Sequence, residues 1–418
     1  MHILFTVHKY PPESLGGTEI YTLTLARALV KAGHQITVFY PTAQVAVITQ
    51  VRGEDGIQLW QIPLPANRNT ENPARQFWHT FRDQSIEAAF VDCLAQSAPD
   101  LIHFQHVQGV SARLIELAAA YPKVATLHDY WYFCANSQLI RPDRRPCAGP
   151  SFGNWNCVDC ATARADLQLL RVARPLVALP FAWRNHYLRR MAAQINCFIA
   201  PSEFLRQQYI NQGWPAAKIV TLENGMDRHR LLHGRSAAVP PPLARPHFGF
   251  LGSLAWQKGV HILIEAFNQL PPTAALTIYG SEQAFPAYGA EMHKLATHPN
   301  IRFAGALAYE EVGAALRQLD ALVVPSLWYE NSPLVIQEAY VVGVPVIASD
   351  LGALPEKVHA NRSGRLFPPG DSAALTALLQ ESIEHPERLA QLKSTITPPP
   401  TVEEHADQIC HLYHKLLA

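Results

Sequence analysis

Short apolar runs alternate with amphipathic segments along the first half of the chain. The run "ILFTV" near the amino terminus is followed by "TEIYTLTLARALVKAG", whose apolar residues recur at helical spacing until Gly33. Strand-like runs separated by such segments predict a parallel sheet with helices on both faces. The other predicted strands of this half are "QITVFYP", "DLIHFQ", "KVATLHD", "INCFIAPS" and "KIVTLEN".

A second series of the same kind, from "HFGFLGS" to "VPVIASD", follows a stretch at 228–246 that we interpret as a linker. After the proline run at 398–400, "TVEEHADQICHLYHKLLA" has a helical pattern. The sequence thus predicts one doubly wound domain over 1–235, a second over 245–396, and a helix over 402–418 that crosses back to the first domain. Ligands of such sheets bind beyond the carboxyl ends of the strands.

The composition excludes some classes of protein. Of 418 residues, 48% are apolar, and 34 basic residues balance 34 acidic ones, so no overall field recruits nucleic acid. The start "MHILFTVHKY" lacks the basic segment and cleavage site of a signal peptide. No apolar run reaches the roughly 18 residues that a membrane span needs. We therefore expect a cytoplasmic protein without a nucleic-acid partner.

The stretch "WYENSPLVIQEA" predicts the start of a helix. Ser332 suits the N-cap and Pro333 suits the first helical position, where its missing N–H has no role. The next free amides are then those of Leu334 and Val335, with the positive end of the helix dipole behind them. Such a helix start binds anions, phosphate groups above all.

Two glutamates flank this helix start. Glu330 lies in the loop before it, and Glu338 lies roughly 7.5 Å along the helix axis beyond Pro333. Because a carboxylate only accepts hydrogen bonds, a diphosphate bound here would need hydroxyl groups on both of its substituents, as a nucleotide sugar has. The alternative is an ordinary helix in which Glu338 reaches solvent or pairs with a core arginine.

Glu330, Glu338 and the following "AYVVGVPVIASDLGALPEKV" resemble the E-x7-E element and downstream strand of the family 4 retaining glycosyltransferases. That resemblance implies the GT-B fold, in which two Rossmann-like domains face a cleft, the first binding the acceptor and the second the nucleotide sugar. It also implies that Glu338 binds the ribose hydroxyls and that Glu330 contacts the transferred sugar. The family commonly has Phe-Gly where this chain has Ser332 and Pro333.

The segment "GSLAWQKG" resembles the phosphate-binding segment of the same family. The resemblance assigns Lys258 to the diphosphate, where a cation at the start of a helix is favourable only beside an anion. The family often has arginine where this chain has Ser253, so we consider Arg206 as a source of the second positive charge.

Three loops are assigned to the donor by resemblance alone. Gly16 and Gly17, in "PPESLGGTEIY", would let the backbone approach the donor phosphate and the acceptor, whereas a plain turn is the alternative. Gly280 and Leu307 lie in segments that resemble the base-recognition region, and we expect their backbone to face the nucleobase.

Histidines follow two consecutive predicted strands. His106 and His128 could therefore line one cleft, although a lone histidine is more often structural. The resemblance maps the cleft histidine of the family onto His128, where it would contact the transferred sugar and stabilise developing charge. Asp129 is the second candidate.

Cys134, Cys147, Cys157 and Cys160 have the spacing C-x12-C-x9-C-x2-C. The final C-x2-C is typical of zinc sites, and four thiolates suit a tetrahedral structural zinc. The segment around them is too polar to form a core alone, so we predict a zinc-stapled insertion over 130–190. Four unligated thiols, or disulfides, are the alternatives.

The segment 167–192 mixes apolar residues with Trp183, Tyr187 and arginines. This composition suits contact with an anionic membrane surface or with a lipid-linked acceptor. A pair of core helices with basic outer faces is the alternative.

Together these features predict a retaining glycosyltransferase that moves a hexose-type sugar from a UDP- or GDP-sugar to a glycan or lipid-linked glycan. Lys258, Glu330 and His128 are the predicted catalytic residues. Because no Asp-x-Asp pair lies near the predicted phosphate site, we expect no catalytic metal. A sugar-nucleotide epimerase of the same fold and a non-catalytic nucleotide-sugar-binding protein are the alternatives.

Overall fold

The computed structural model describes residues 1–64, 77–164, 173–235, 245–359 and 362–418. These residues form two compact units. The N-terminal unit comprises Met1–Gly225 together with Val402–Ala418, and the C-terminal unit comprises Met226–Thr401.

Strands and helices alternate along the N-terminal unit, as the apolar pattern predicts. Its strands are β1 (His2–Thr6), β2 (Gln35–Thr42), β3 (Thr49–Arg52), β4 (Gln58–Pro63), β5 (Leu101–Phe104), β6 (Lys123–Thr126), β7 (Cys197–Ala200) and β8 (Ile219–Thr221). Its helices are α1 (Gly17–Lys31), α2 (Gln84–Ser97), α3 (Leu114–Leu117), α4 (Trp155–Arg164), α5 (Arg174–Ala192) and α6 (Glu203–Asn211), and the helix of the C-terminal segment is described below.

The eight strands of this unit form one sheet in the order β3-β4-β2-β1-β5-β6-β7-β8. All neighbours are parallel except β3 and β4. Ile3 of β1 lies opposite Ile36 on one side and Leu101 on the other, and it is fully buried. Because the strand order reverses beside β1, the loops after β1, β5 and β6 meet at one edge of the sheet.

The C-terminal helix (Val402–Leu417) packs on α1 of the N-terminal unit. The Tyr413 hydroxyl hydrogen-bonds with Nδ1 of His103 at 2.5 Å, and His103 Nε2 hydrogen-bonds with Thr126 Oγ1 at 2.7 Å. His405 meets the Tyr21 hydroxyl at 2.8 Å. These buried polar contacts give the helix one fixed position, and they assign His103 to the packing of this unit.

The C-terminal unit repeats the alternation. Its strands are β9 (His247–Leu251), β10 (Ala275–Tyr279), β11 (Ile301–Gly305), β12 (Ala321–Val324), β13 (Val346–Ser349) and β14 (Gly364–Phe367). Its helices are α7 (Arg228–His233), α8 (Val260–Phe267), α9 (Pro286–Leu295), α10 (Val312–Arg317), α11 (Leu334–Val341), α12 (Leu354–Lys357), α13 (Ser372–Glu384) and α14 (Pro386–Ser394), and the C-terminal helix Val402–Leu417 is α15.

The second sheet has the order β11-β10-β9-β12-β13-β14, and all its pairs are parallel. Its order reverses between β9 and β12. A crevice therefore forms where the loops after these two strands leave the sheet, which is the usual ligand site of this architecture.

The predicted boundary between the domains lies about ten residues too late. Residues 228–233, assigned to a linker, form α7 within the C-terminal unit. Asp227 caps this helix by accepting a hydrogen bond from the Arg230 amide at 2.9 Å, and Leu231 is fully buried among the apolar residues of that unit. Burial of Leu231 holds this segment in place, although prolines follow it in the sequence.

Across the described residues, no helix has the length and apolar character needed to cross a membrane.

Candidate functional site

The crevice of the C-terminal unit is built by the loops after β9 and β12. These loops are tied together where the Leu327 amide donates to the Gln257 carbonyl at 2.8 Å. Gly259 has a φ of +70°, and a Cβ there would collide with the Pro325 carbonyl oxygen. Glycine at this position therefore permits the close approach that places Lys258 beside the second loop.

Glu330 is the centre of the polar contacts in this crevice. Its Oε1 accepts hydrogen bonds from Lys258 Nζ at 2.7 Å, Ser326 Oγ at 2.8 Å and Trp328 Nε1 at 2.8 Å. Glu330 is buried, and the ammonium group of Lys258 also lies 5.3 Å from the centre of the Trp328 ring. A buried carboxylate with three donors and a cation is fixed in position, and it fixes Lys258 in turn.

The backbone of Glu330 is held from a third direction. The Ala353 amide donates to the Glu330 carbonyl at 3.1 Å. Gly352, with a φ of +65°, lies so close that a Cβ would stand 3.2 Å from the Glu330 amide nitrogen. The loop after β13 therefore contributes to the rigidity of the site.

The helix start differs by one residue from the prediction. Pro333 has a ψ of 108°, which is extended rather than helical, so Pro333 and not Ser332 is the N-cap residue and α11 begins at Leu334. The Ile336 amide bonds back to the Pro333 carbonyl at 3.1 Å. For the amides of Leu334 and Val335, no acceptor is found in the described part of the chain. The correction leaves the two predicted amides at the helix start.

Glu338 pairs with an arginine, the alternative that the sequence left open. Arg230 of α7 donates to Glu338 Oε1 at 2.8 Å and to the Tyr309 carbonyl at 2.6 Å, and its guanidinium lies 3.7 Å from the centre of the Tyr309 ring. Both charged side chains are largely buried, at 10% and 13% exposure. The ion pair holds the Glu338 carboxylate in one orientation.

Arg230 is a residue that the sequence analysis missed, because its segment was assigned to the linker. The stretch "DRHRLL" contains features that indicate this helix. Asp227 is a good N-cap residue, and two leucines follow it.

The remaining predicted donor residues of this unit lie in loops. Ser253 is exposed. The Gly280 amide donates to the Gly305 carbonyl at 2.8 Å, and a Cβ on Gly280 would collide with the Gly252 carbonyl oxygen, so this position requires glycine. Leu307 is half-buried against the apolar core. These placements leave the assignment of the loops to the nucleobase a prediction.

Comparison with known families identifies the chain. The family model described as Glycosyltransferase Family 4 matches residues 15–230, and the one described as Glycosyl transferases group 1 matches residues 236–397. The chain belongs to glycosyltransferase family 4. Its function as a glycosyltransferase, predicted from the sequence, is confirmed.

Two relatives match this family 4 enzyme over most of their length. Glycogen synthase of Mycobacterium tuberculosis is 26% identical over 92% of this chain and 87% of that protein. The MMP alpha-(1->4)-mannosyltransferase of Mycolicibacterium hassiacum is 37% identical over 90% and 88%. Among solved structures, Anabaena HepE in complex with UDP and glucose has a TM-score of 0.64 at 20% identity, covering 99% of this chain and 100% of that one. The two-domain α/β GT-B class is thereby confirmed.

The N-terminal unit of the glycosyltransferase gathers histidines at the reversal point of its sheet. His106 Nε2 lies 3.0 Å from Asp129 Oδ2, and the rings of His8 and His106 lie 4.7 Å apart. The predicted residue His128 hydrogen-bonds with Gln105 Oε1 at 3.2 Å. His106, His128 and Asp129 are thus brought to one edge, together with His8, which the sequence analysis did not name.

His128 is a neutral side chain. Its pKa is lowered to about 3, chiefly by burial and also by the nearby His106, while Asp129 acts in the opposite direction. Because the Gln105 carbonyl oxygen accepts hydrogen bonds, the ring nitrogen facing it is the protonated one. His128 therefore offers a hydrogen-bond donor or acceptor rather than the full positive charge that stabilising a developing negative charge would favour.

Gly16 and Gly17 lie at the start of α1. Gly16 is the N-cap residue, and a Cβ there would stand 2.5 Å from Glu19 Oε2. Glu19 is buried, accepts a hydrogen bond from Ser14 Oγ at 2.9 Å and lies 3.6 Å from His8 Nε2. The small residue leaves room for the Glu19 carboxylate.

A cavity of about 430 Å³ lies beside these histidines within the N-terminal unit. Its walls include His8, Lys9, Gln108, Trp131 and Arg184. Arg206, considered as a second phosphate cation, is engaged within the same unit by Glu203 at 2.8 Å and the Ile219 carbonyl at 3.0 Å. These contacts do not support a phosphate role for Arg206.

The four predicted zinc ligands are free thiols that line one cavity of about 220 Å³. Within the ranges that the structure describes, no three His, Cys, Asp or Glu side chains are arranged as a metal site. The zinc site predicted for Cys134, Cys147, Cys157 and Cys160 is therefore not confirmed.

Proposed function

We propose that the chain is a retaining glycosyltransferase that moves a hexose from a nucleoside-diphosphate sugar to a glycan or a lipid-linked glycan. The observation that carries this proposal is the fixed pair of Lys258 and Glu330 at the reversal point of the second sheet. A cation and a carboxylate held together at such a crevice match the two halves of the donor, since the diphosphate needs positive charge and the sugar offers hydroxyl groups.

The diphosphate would lie between Lys258 and the start of α11. Lys258 supplies a point charge, and the amides of Leu334 and Val335 supply two donors at the positive end of a helix dipole. These groups stabilise the negative charge that develops on the leaving diphosphate as the glycosidic bond breaks. This chemistry needs no catalytic metal.

Glu338 would accept hydrogen bonds from the ribose hydroxyls. Arg230 occupies its Oε1 and sets its orientation, so the second oxygen of the carboxylate remains the acceptor for the ligand. A uridine nucleotide is the first candidate, since HepE was solved with UDP and glucose. Ser253, Gly280 and Leu307 remain the proposed neighbours of the phosphates and the base.

Glu330 would contact the transferred sugar. The role proposed for His128 is that of a neutral hydrogen-bonding imidazole in the N-terminal unit. The acceptor would bind in the N-terminal unit, whose cavity of about 430 Å³ is large enough for a sugar residue. Gly16 and Gly17, at the start of α1, remain proposed neighbours of the donor phosphate and the acceptor. A glycan acceptor is supported by the names of the glycogen synthase and mannosyltransferase relatives.

Thermal unfolding with a panel of nucleotides tests the donor assignment. UDP, GDP, ADP and their glucose and mannose conjugates are each added at about one hundred times the expected Kd. Binding to the folded state then adds about 2.7 kcal/mol, which raises the Tm by roughly 5–10 °C for a unit of this size.

The matched variants are Lys258→Met in the site and Lys294→Met on the exposed face of α9. We expect Lys258→Met to remove most of the Tm shift and Lys294→Met to keep it. If no nucleotide shifts the unfolding of the wild-type chain, the donor proposal is wrong.

Contact with an anionic membrane is proposed through α5. Leu176, Leu179 and Trp183 are exposed on this helix at 70%, 61% and 43%, and the exposed Arg189 and Arg190 follow them. The helix contains no acidic residue. Residues 167–172 of the predicted segment lie outside those that the structure describes. The exposed face of α5 combines apolar and basic side chains as interfacial helices do.

Flotation with phosphatidylserine-containing and neutral vesicles measures this contact. We expect the wild-type chain to float with anionic vesicles only, and Leu176→Glu with Leu179→Glu to abolish flotation. Val91→Glu, at an exposed apolar position of α2, is the control. Equal flotation of both variants would remove α5 from the proposal.

A further inference from the structure

The cavity lined by four cysteines has the chemistry of a metal site. Cys157 and Cys160 are three residues apart on α4 and so lie on one face of that helix, whereas Cys134 and Cys147 come from the loop after β6. All four line the same cavity of about 220 Å³. Two chain segments thus present two cysteines each to a shared space.

Side-chain amides point at two of the sulfur atoms. Asn136 Nδ2 lies 3.3 Å from Cys160 Sγ, and Asn156 Nδ2 lies 3.6 Å from Cys147 Sγ. An amide N–H directed at sulfur stabilises the thiolate more than the thiol. Such donors are typical of the groups that surround metal-bound cysteines.

Arg184 gives the independent observation. It is 2% exposed, and its guanidinium donates to the Trp131 carbonyl and, at 3.2 Å, to Asn185 Oδ1. The nearby Asp129 carboxylate pairs with His106 at 3.0 Å, and among the described residues no carboxylate forms an ion pair with Arg184. A buried cation without a close counter-charge is unfavourable. The Trp131 carbonyl lies within one turn of Cys134, whose amide bonds to the Tyr130 carbonyl at 2.8 Å.

A tetrathiolate zinc centre would supply that missing negative charge. Four thiolates and one Zn²⁺ have a net charge of −2, formed by release of the four thiol protons to solvent. The exposed Arg141 and Arg164 line the cavity and would add positive charge near the dianion. Thiolates select soft metals, and a set of four with tetrahedral geometry selects zinc.

We propose that Cys134, Cys147, Cys157 and Cys160 bind one zinc ion and that Arg184 is its buried counter-ion. As a thiol, Cys134 donates a hydrogen bond from Sγ to Asn136 Oδ1 at 2.8 Å. Loss of that proton removes the donor, and rotation of the side chains into the cavity brings the sulfurs to the metal.

The centre would also fix a wall of the larger cavity in the same unit. Ala135 and Phe77 line both cavities, and Trp131 and Arg184 line the larger one. Metal binding would therefore order the surface that the larger cavity presents, independently of what binds there.

Metal content of the full chain, purified under reducing conditions without a metal-affinity step, is the first measurement. We expect about one zinc per chain, replaceable by Co²⁺ with the sulfur-to-metal charge-transfer absorption of a tetrathiolate site. Cys157→Ser and Cys160→Ser should lose the metal, and Cys93→Ser, at a buried cysteine outside the cavity, should retain it.

The counter-ion role is tested by zinc affinity in competition with a chelator. Arg184→Met should weaken zinc binding by about 10- to 100-fold, as removal of outer groups around a metal does, whereas the exposed Arg189→Met should not. If Arg184→Met does not fold, Arg141→Met is measured in its place. Four freely titrating thiols without zinc, or two disulfides by mass, would overturn the proposal.

Discussion

Glu330→Gln should lower the rate of sugar transfer by about 100- to 1,000-fold while nucleotide affinity stays within about threefold. The carboxylate fixes Lys258 through a 2.7 Å ion pair and also accepts hydrogen bonds from the side chains of Ser326 and Trp328. Glutamine retains an acceptor oxygen for Lys258, so the diphosphate keeps its cation, whereas the transferred sugar loses a charged hydrogen-bond acceptor. Since the ribose and base contacts lie elsewhere, binding of the nucleotide is spared.

The measurement uses the nucleotide sugar that gives the largest thermal shift. The rate is monitored as the release of nucleoside diphosphate from that sugar donor. Glu291→Gln, at an exposed glutamate of α9, is the matched control for the same chemical change. A tenfold or larger loss of nucleotide affinity in Glu330→Gln, with turnover unchanged at saturation, would reverse the roles assigned to the two glutamates.

The alternation of strands and helices was predictable where a strand is apolar on both faces, as β1 is, whereas the polar, exposed β3 gave no such signal. Ile3, Leu4 and Phe5 of β1 are fully buried, and the sequence shows them as an uninterrupted apolar run. The domain boundary was less predictable. Helix α7 has only six residues, too few for a periodic signal, and its place depends on the burial of Leu231.

The candidate site could be predicted in its residues but not in its contacts. Lys258 and Glu330 are 72 residues apart, and they meet because β9 and β12 are neighbours in the sheet, which a local pattern does not reveal. Arg230 was missed for the same reason, since its partner Glu338 is 108 residues away. The low pKa of His128 depends on burial and on His106, and a single sequence contains neither quantity.

The start of α11 shows how a local rule is limited. Proline suits the first position of a helix, and that rule placed Pro333 inside α11. In the structure Pro333 has a ψ of 108° and caps the helix instead. Its φ of −68° fits both states, so the rule alone did not decide between them.

Glu338→Gln should weaken binding of the nucleoside diphosphate by about 10- to 100-fold, because a hydrogen bond to a charged group is worth about 1.5–3 kcal/mol. The sharper test compares the ribonucleotide with its 2′-deoxy form by calorimetry. The wild-type chain should bind the deoxy form more weakly, whereas Glu338→Gln should bind the two forms with nearly equal affinity. The 2′-hydroxyl of the ligand and the charge of Glu338 belong to the same contact, so the effects of removing them on the binding free energy are not additive.

Arg230→Met separates the orientation of the Glu338 carboxylate from its contact with the ribose. It leaves the largely buried Glu338 without its cation, which should destabilise the C-terminal unit by about 3–5 kcal/mol. Because the carboxylate is still present, this variant should retain part of the preference for ribose over deoxyribose. Glu291→Gln should behave as the wild-type chain in both measurements. If Glu338→Gln keeps the full preference for ribose, Glu338 does not bind the ribose, and the ion pair with Arg230 is then a structural contact of the C-terminal unit.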